Sequence, residues 1–196
     1  GPLSVEDMRV KMKVLDTFID AAEEFGFPRQ SDFNTGENEG IGYFQVTQRN
    51  GLRCSTAVGY LNPIKHRKNL KIITKAHIKN IEFENNQAVS VNYWQGNQLK
   101  KVKSNIEIIL SAGSIGSPHI LQASGIGPGE LLKKNNVEVI KNQSAVGKNL
   151  QDHLMLRPVY KIKNLETLNE VYHSLIKKIF TGINYFILRK GPLTMG

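Results

Sequence analysis

Two stretches carry residue types that could do chemistry. "VGKNLQDH" packs Asn149, Gln151, Asp152 and His153 into five positions, the densest polar cluster of the chain. "SAGSIGSPHILQASGIG", Ser111 to Gly127, holds four glycines and four serines in seventeen residues. A histidine among amides and a carboxylate can move or hold a proton. A lone histidine also serves as a local hydrogen-bonding group. A run of small residues lets a ligand, or another strand, approach the backbone closely.

The usual phosphate loops do not fit the small-residue run. A dinucleotide fingerprint needs G-x-G-x-x-G between a strand and a helix. Gly125, Gly127 and Gly129 have other spacing and follow a helical segment. A Walker loop needs a glycine five residues before Gly-Lys, and Gly147-Lys148 has Asn142 there, with Asn149 in place of Ser or Thr. By spacing alone, tight packing is the better reading of Ser111–Gly127 than ligand contact. His66, His77, His119 and His173 show no metal-ligand spacing. Cys54 is the single cysteine, so no internal disulfide can form and a cysteine-based metal site is not expected.

The elements that must position these residues alternate. "NIEIIL" is nearly continuously apolar from Ile106 to Leu110, as in a buried parallel strand. It feeds the Ser111–Gly113 turn. A short helix over about 117–123 follows, with Pro118 in its first turn. A second, "GELLKKNN", places Leu131 and Leu132 inward, and "VEVI" at 137–140 reads as another parallel strand. "LKIITKA" near 70–75 is read the same way. Between them, 78–103 alternates apolar and polar around "NNQ" and "QGNQ", an antiparallel meander with one solvated face. Upstream, Ser4 would cap a helix with Met8, Met12, Leu15, Ile19 and Ala22 on one face, stopped by Gly26 and Pro28. Residues 29–54 read as a long loop, and "STAVGYL" as a short helix. From Leu168 to Leu188 the apolar spacing predicts one long helix with Lys177, Lys178, Arg189 and Lys190 as its charge.

Composition sets the outer limits. With 196 residues, 40% hydrophobic and 22% charged, the chain suits one domain or one and a part. The net charge is +9, but 19 of the 26 basic residues are spread lysines rather than arginines. No nucleic-acid-binding pattern appears, so no nucleic acid partner is expected. No run of roughly 18 apolar residues occurs, and "GPLSVEDMRV" has no leader character. A cytoplasmic protein is expected. Membrane association through the basic amphipathic helix is the alternative, and packing of that helix within its own protein is preferred.

"GSIGSPHILQASGIG" resembles the second signature of the glucose-methanol-choline (GMC) oxidoreductase family. "GPLSV", "GYFQVTQRNGLRCSTAVGYL", "NLKIITKAHIKNIEFE", "VGKNLQDH" and "GPLT" at Gly191 resemble further family blocks in the same order. The likeness is nearest to the choline-dehydrogenase-like group. It implies an α/β fold: part of an FAD-binding Rossmann-like domain with parallel strands and an antiparallel meander, over 1–153, and the start of a substrate-binding domain over 154–196. It implies FAD as cofactor, a small-molecule alcohol as substrate and an electron acceptor of unstated kind. Ile78 matches a strand residue whose backbone meets the adenine, although an ordinary core strand residue suits the position equally. Ser111, Ala112 and Gly113 match the turn beside the ribose and pyrophosphate. Asn149, Asp152 and His153 match the floor of the substrate cavity, His153 in a supporting role. Met155 stands where choline oxidisers can carry a Glu facing the ammonium, which favours a neutral alcohol over choline.

The family is more than twice as long. The resemblance implies a G-x-G-x-x-G turn before Gly1, and a catalytic His with a second His or Asn beyond Gly196. No residue of this chain is therefore expected to be the catalytic base, and the isolated chain is expected to be inactive. A catalytically inactive remnant or binding module on the same α/β scaffold is the alternative function.

Overall fold

Residues 78 to 103 alternate as a half-solvated sheet requires, and the computed structural model, which describes residues 1–194, shows the meander they predict, starting two residues earlier at Ala76. β3 (Ala76–Glu84), β4 (Gln87–Gln95) and β5 (Gln98–Lys103) pair antiparallel in that order. Asn85 and Asn86 turn with positive φ between the first two, and Gly96 between the last two. Tyr93, Ile81 and the fully enclosed Ser90 are buried. Across the three strands, Glu82 accepts hydrogen bonds from Ser90 Oγ at 2.6 Å and Asn92 Nδ2 at 2.7 Å, and pairs with Lys101. The Lys101 ammonium, then Ser90 and Asn92, hold the Glu82 carboxyl down at about 2.

The helix after this sheet is longer than the sequence predicts. α2 runs Gly113–Ala123, with Pro118 inside it rather than in its first turn. Gly113 turns the chain at φ +82°, and Ser117 Oγ accepts the Ala112 N–H at 3.0 Å. Pro118 removes only one helical hydrogen bond. α3 (Gly129–Lys134) buries Leu132, whereas Leu131 is exposed.

The parallel strands expected at 70–75, 106–110 and 137–140 are not strands. Ile106 and Ile109 are 86% and 78% exposed. An apolar run records a preference for burial, but a strand forms only where a second strand takes its hydrogen bonds. Among the described residues no strand pairs with 70–75 or 106–110, and in 137–140 only the last residue, Ile140, donates its N–H to the segment at 125–127. The parallel pairing is made elsewhere: β6 (Ile126–Gly127) pairs with β7 (Lys141–Asn142), and Gly125 O accepts from Ile140 N and Lys141 N. The fold is mixed α/β, with parallel and antiparallel pairs.

Everything above lies in one compact unit, Lys71–Arg157. The other combines Gly1–Leu70 with the residues from Pro158 onward. In it α1 is Lys13–Glu24 and buries Ile19. The helix does not start at Ser4, because Glu6 and Val46 exchange backbone hydrogen bonds at 3.0 and 2.9 Å. Within the predicted loop a hairpin forms, β1 (Gln48–Arg49) with β2 (Leu52–Arg53), turned by Asn50-Gly51. A π-helical turn spans Ala57–Leu61. The predicted long helix is two, α4 (Leu168–His173) and α5 (Leu175–Leu188). Ser174 breaks it with extended backbone and caps α5, its Oγ accepting the Lys177 N–H at 3.4 Å. Among the described residues no helix is long and apolar enough to cross a membrane.

Candidate cofactor-binding site

The two ends of Ser111–Gly127 do different things. At the far end the small residues pack. Ser124 is buried; its Oγ accepts the Ile81 N–H at 2.8 Å and donates to Ile120 O at 2.5 Å. A Cβ on Gly125 would stand 2.5 Å from both Glu138 O and Ile140 Cγ1. The tight-packing reading holds for this half.

At the near end nothing packs. Ser111, Ala112, Gly113 and Ser114 are exposed, and a Cβ on Gly113 would meet no atom within 4 Å. α2 begins without a side-chain cap and without an acidic residue in its first turn. Its first N–H groups point outward from an eleven-residue helix, with the partial positive charge of a helix start. Only Gly is at ease at φ +82° there.

A second segment comes up beside this helix. Gln122 Nε2 donates to Val146 O at 3.1 Å, and the chain then passes through Gly147 at φ +81° and Asn149 at φ +56°. Between α2 and this segment lies an open cleft of about 450 Å³, lined by Ser114, His119 and Gln122 on one side and Lys148 and Asn149 on the other. Lys148 lines it, and no Asp or Glu does.

Of the residues that the sequence picks out, the structure brings Asn149 and Gln151 to this cleft, beside the start of α2, where Ser111, Ala112 and Gly113 lie. Ile78 is half-buried and lines a second cleft of about 370 Å³, with Trp94 and His119. His119 borders both. Asp152, His153 and Met155 are exposed and do not line either cleft. Asp152 Oδ1 accepts the His153 backbone N–H at 2.8 Å, and the Arg157 Nε–H approaches Met155 Sδ at 3.5 Å. No group of three His, Cys, Asp or Glu among the described residues is placed to hold a metal ion.

Ser114, His119, Gln122 and Lys148 are lining residues that the sequence reading passed over. The signal was available for the helical ones. Ser114, Pro118 and Gln122 recur at four-residue spacing, and His119 stands one place on, so all fall along one face.

The mixed α/β fold is shared with solved flavoenzymes. A structure of an FAD-dependent oxidoreductase from Chaetomium thermophilum superposes with a TM-score of 0.87 and 26% identity over 100% of this chain and 34% of that one. The family model for GMC oxidoreductase matches residues 1–155, and the chain belongs to the GMC oxidoreductase family. An alcohol dehydrogenase [acceptor] of Pseudomonas putida is 37% identical over 99% of this chain and 36% of its own length. An oxygen-dependent choline dehydrogenase of Cronobacter sakazakii is 43% identical over 83% of the chain and 30% of its own. The chain thus spans about a third of the length of the relatives it matches.

Proposed function

We propose that this chain is part of an FAD-dependent oxidoreductase that oxidises the CH–OH group of an alcohol to a carbonyl. The observation that carries the reading is the exposed, uncapped start of α2 at Ser111–Gly113, beside a cleft lined by Lys148 and by no carboxylate. Its residues fit an anionic dinucleotide. Free helix-start N–H groups and a glycine turn accept phosphate oxygens without steric or charge conflict. Ser111, Ala112 and Gly113 would hold the ribose and pyrophosphate, and the Ile78 backbone the adenine.

The flavin, when bound, supplies the hydride acceptor. The chain's own residues bind and orient. Lys148 and the α2 start attract negative charge. Asn149, Asp152 and His153 would line the alcohol side, offering donors and acceptors to the hydroxyl, with His153 supporting a base supplied from outside these residues. Met155 has no charge to pair with a trimethylammonium group, which supports a neutral alcohol rather than choline as the substrate.

The test is to purify the product of the native gene and record its visible spectrum and alcohol-dependent dye reduction. A flavin spectrum bleached by a neutral primary alcohol, and less readily by choline, is expected. A colourless protein would reject the reading in favour of a binding module. In Met155→Glu, choline should gain on the neutral alcohol by roughly tenfold in kcat/KM, the worth of one favourable charge contact of about 1.4 kcal/mol. An unchanged ratio would remove Met155 from the substrate side.

A further inference from the structure

Gln122 makes an unusual pair of contacts. Its Nε2 donates to Val146 O at 3.1 Å, and the same nitrogen stands 2.6 Å from where a Cβ on Gly147 would be. So the amide both ties the incoming backbone to α2 and occupies the space that any other residue at 147 would need. Immediately beyond, Gly147 and Asn149 both have positive φ, +81° and +56°. Asparagine tolerates that region better than most residues, yet it is still held there against the more stable right-handed and extended wells. Such conformations persist where the surroundings over-determine them, and they gather at functional sites.

We propose that Gln122 is a positioning residue of the cleft: through Val146 and Gly147 it latches the 147–151 segment onto α2 in the left-handed turn that presents Asn149 to the cleft across from Ser114. This rests on the reading of the cleft as part of a flavin site, although the latch itself is a property of these residues alone. The chemistry requires glutamine. Only a side chain of this length with an N–H donor meets the Val146 carbonyl. Glutamate would set an acceptor against an acceptor, and methionine would keep the shape without the hydrogen bond.

The experiment compares the product of the native gene with its Gln122→Met and Gly147→Ala variants by amide hydrogen exchange and by the backbone coupling and Cα shift of Asn149. The second variant disturbs the latch from the opposite side, so a folding failure in one does not leave the question open. Each is expected to speed exchange at Lys148–Gln151 by about tenfold or more, as local opening does, and to erase the left-handed signature of Asn149. Exchange in β3 and β4 should stay as in the unaltered chain. The double variant should do no more than Gly147→Ala, which breaks the same contact and adds the strain of a Cβ at φ +81°. If Asn149 keeps its left-handed signature in both variants, or if β3 and β4 open in step with the segment, the latch is wrong and Gln122 merely stabilises the unit. A separate arm measures FAD uptake by the native gene product. Weakening by Gln122→Met supports both readings. Absence of FAD from the unaltered protein, with the Asn149 response intact, sinks the flavin reading and leaves the latch standing.

Discussion

Ser124 Oγ accepts the backbone N–H of Ile81 at 2.8 Å, and both residues are buried. The bond joins the C-terminal end of α2 to the edge of β3 that β4 does not cover. A register irregularity between Ile78 and Asn80 lies just before it. One hydroxyl thereby fixes the helix that carries the candidate site to the sheet that supports it. Ser124→Ala would leave the Ile81 N–H without an acceptor in a place closed to water. A loss of about 1–3 kcal/mol is expected, read as a lower denaturant midpoint with unchanged slope. The exposed Ser111→Ala should stay within about 0.5 kcal/mol of the unaltered chain. Equal effects of the two would show that the bond has no special weight.

Gly125 is the tightest of the small residues in this arm. It has φ +87°, and a Cβ would overlap Glu138 O and Ile140 Cγ1. Its own carbonyl accepts from Ile140 and Lys141, so the pairing of β6 with β7 depends on the close approach. Gly125→Ala should destabilise the chain by at least about 2 kcal/mol, from left-handed strain and overpacking together. Gly113→Ala has the strain without the overlap and should cost less. Thermal or chemical denaturation orders the two, and the reverse order would contradict the packing role.

Glu82 gives the sheet a pH dependence. Its carboxyl is lowered from 4.5 to about 2, chiefly by Lys101 and then by Ser90 and Asn92. A carboxyl with a depressed folded value binds fewer protons in the folded chain than in the unfolded one. Its contribution is therefore complete above the unfolded value and is lost as pH falls from about 4.5 to about 2. Stability should decline over that window, and Glu82→Gln should flatten this part of the decline. Denaturation curves across the window test it; a variant with an unchanged pH slope would remove Glu82 as the cause.

α5 presents its apolar side outward. Leu175, Ile176, Phe180, Phe186 and Ile187 are each more than half exposed, whereas Thr181, Gly182 and Tyr185 are half-buried. The 196-residue chain should self-associate through this face. Ile179→Glu with Ile183→Glu should reduce the apparent mass in light scattering and shift stability by no more than about 0.5 kcal/mol, as exposed substitutions do. Unaltered association would place the sticky surface elsewhere.

Much of the local structure was legible in the residues. Two-residue alternation located the meander from 78 to 103, two residues short of its start at Ala76, because its strands are neighbours in sequence and their pairing depends on local turns. The family followed from the Gly113–Gly127 and Val146–His153 stretches. "GELLKK" and the stop at Gly26 were read from local rules. The Asn50-Gly51 hairpin is equally local, since Asn-Gly is the strongest short hairpin signal, but the Asn, Gly and Asp around it suit a long loop as well.

What remained was decided by contacts distant in sequence. Whether 106–110 becomes a strand depends on a partner that no periodicity names. Ser4 loses its helix to the pairing of Glu6 with Val46, forty residues away in the chain. The amphipathic spacing from 168 to 188 is the same for one helix or for two, and Ser174 settles it by its own cap. The Gly and Ser of "SAGSIGSPHILQASGIG" look alike on paper. Only the fold divides them, burying Ser124 and Gly125 against β3 and β7 and leaving Ser111 to Gly113 open. That division follows from a physical fact: composition determines how closely a backbone can be approached, and tertiary structure determines what approaches it.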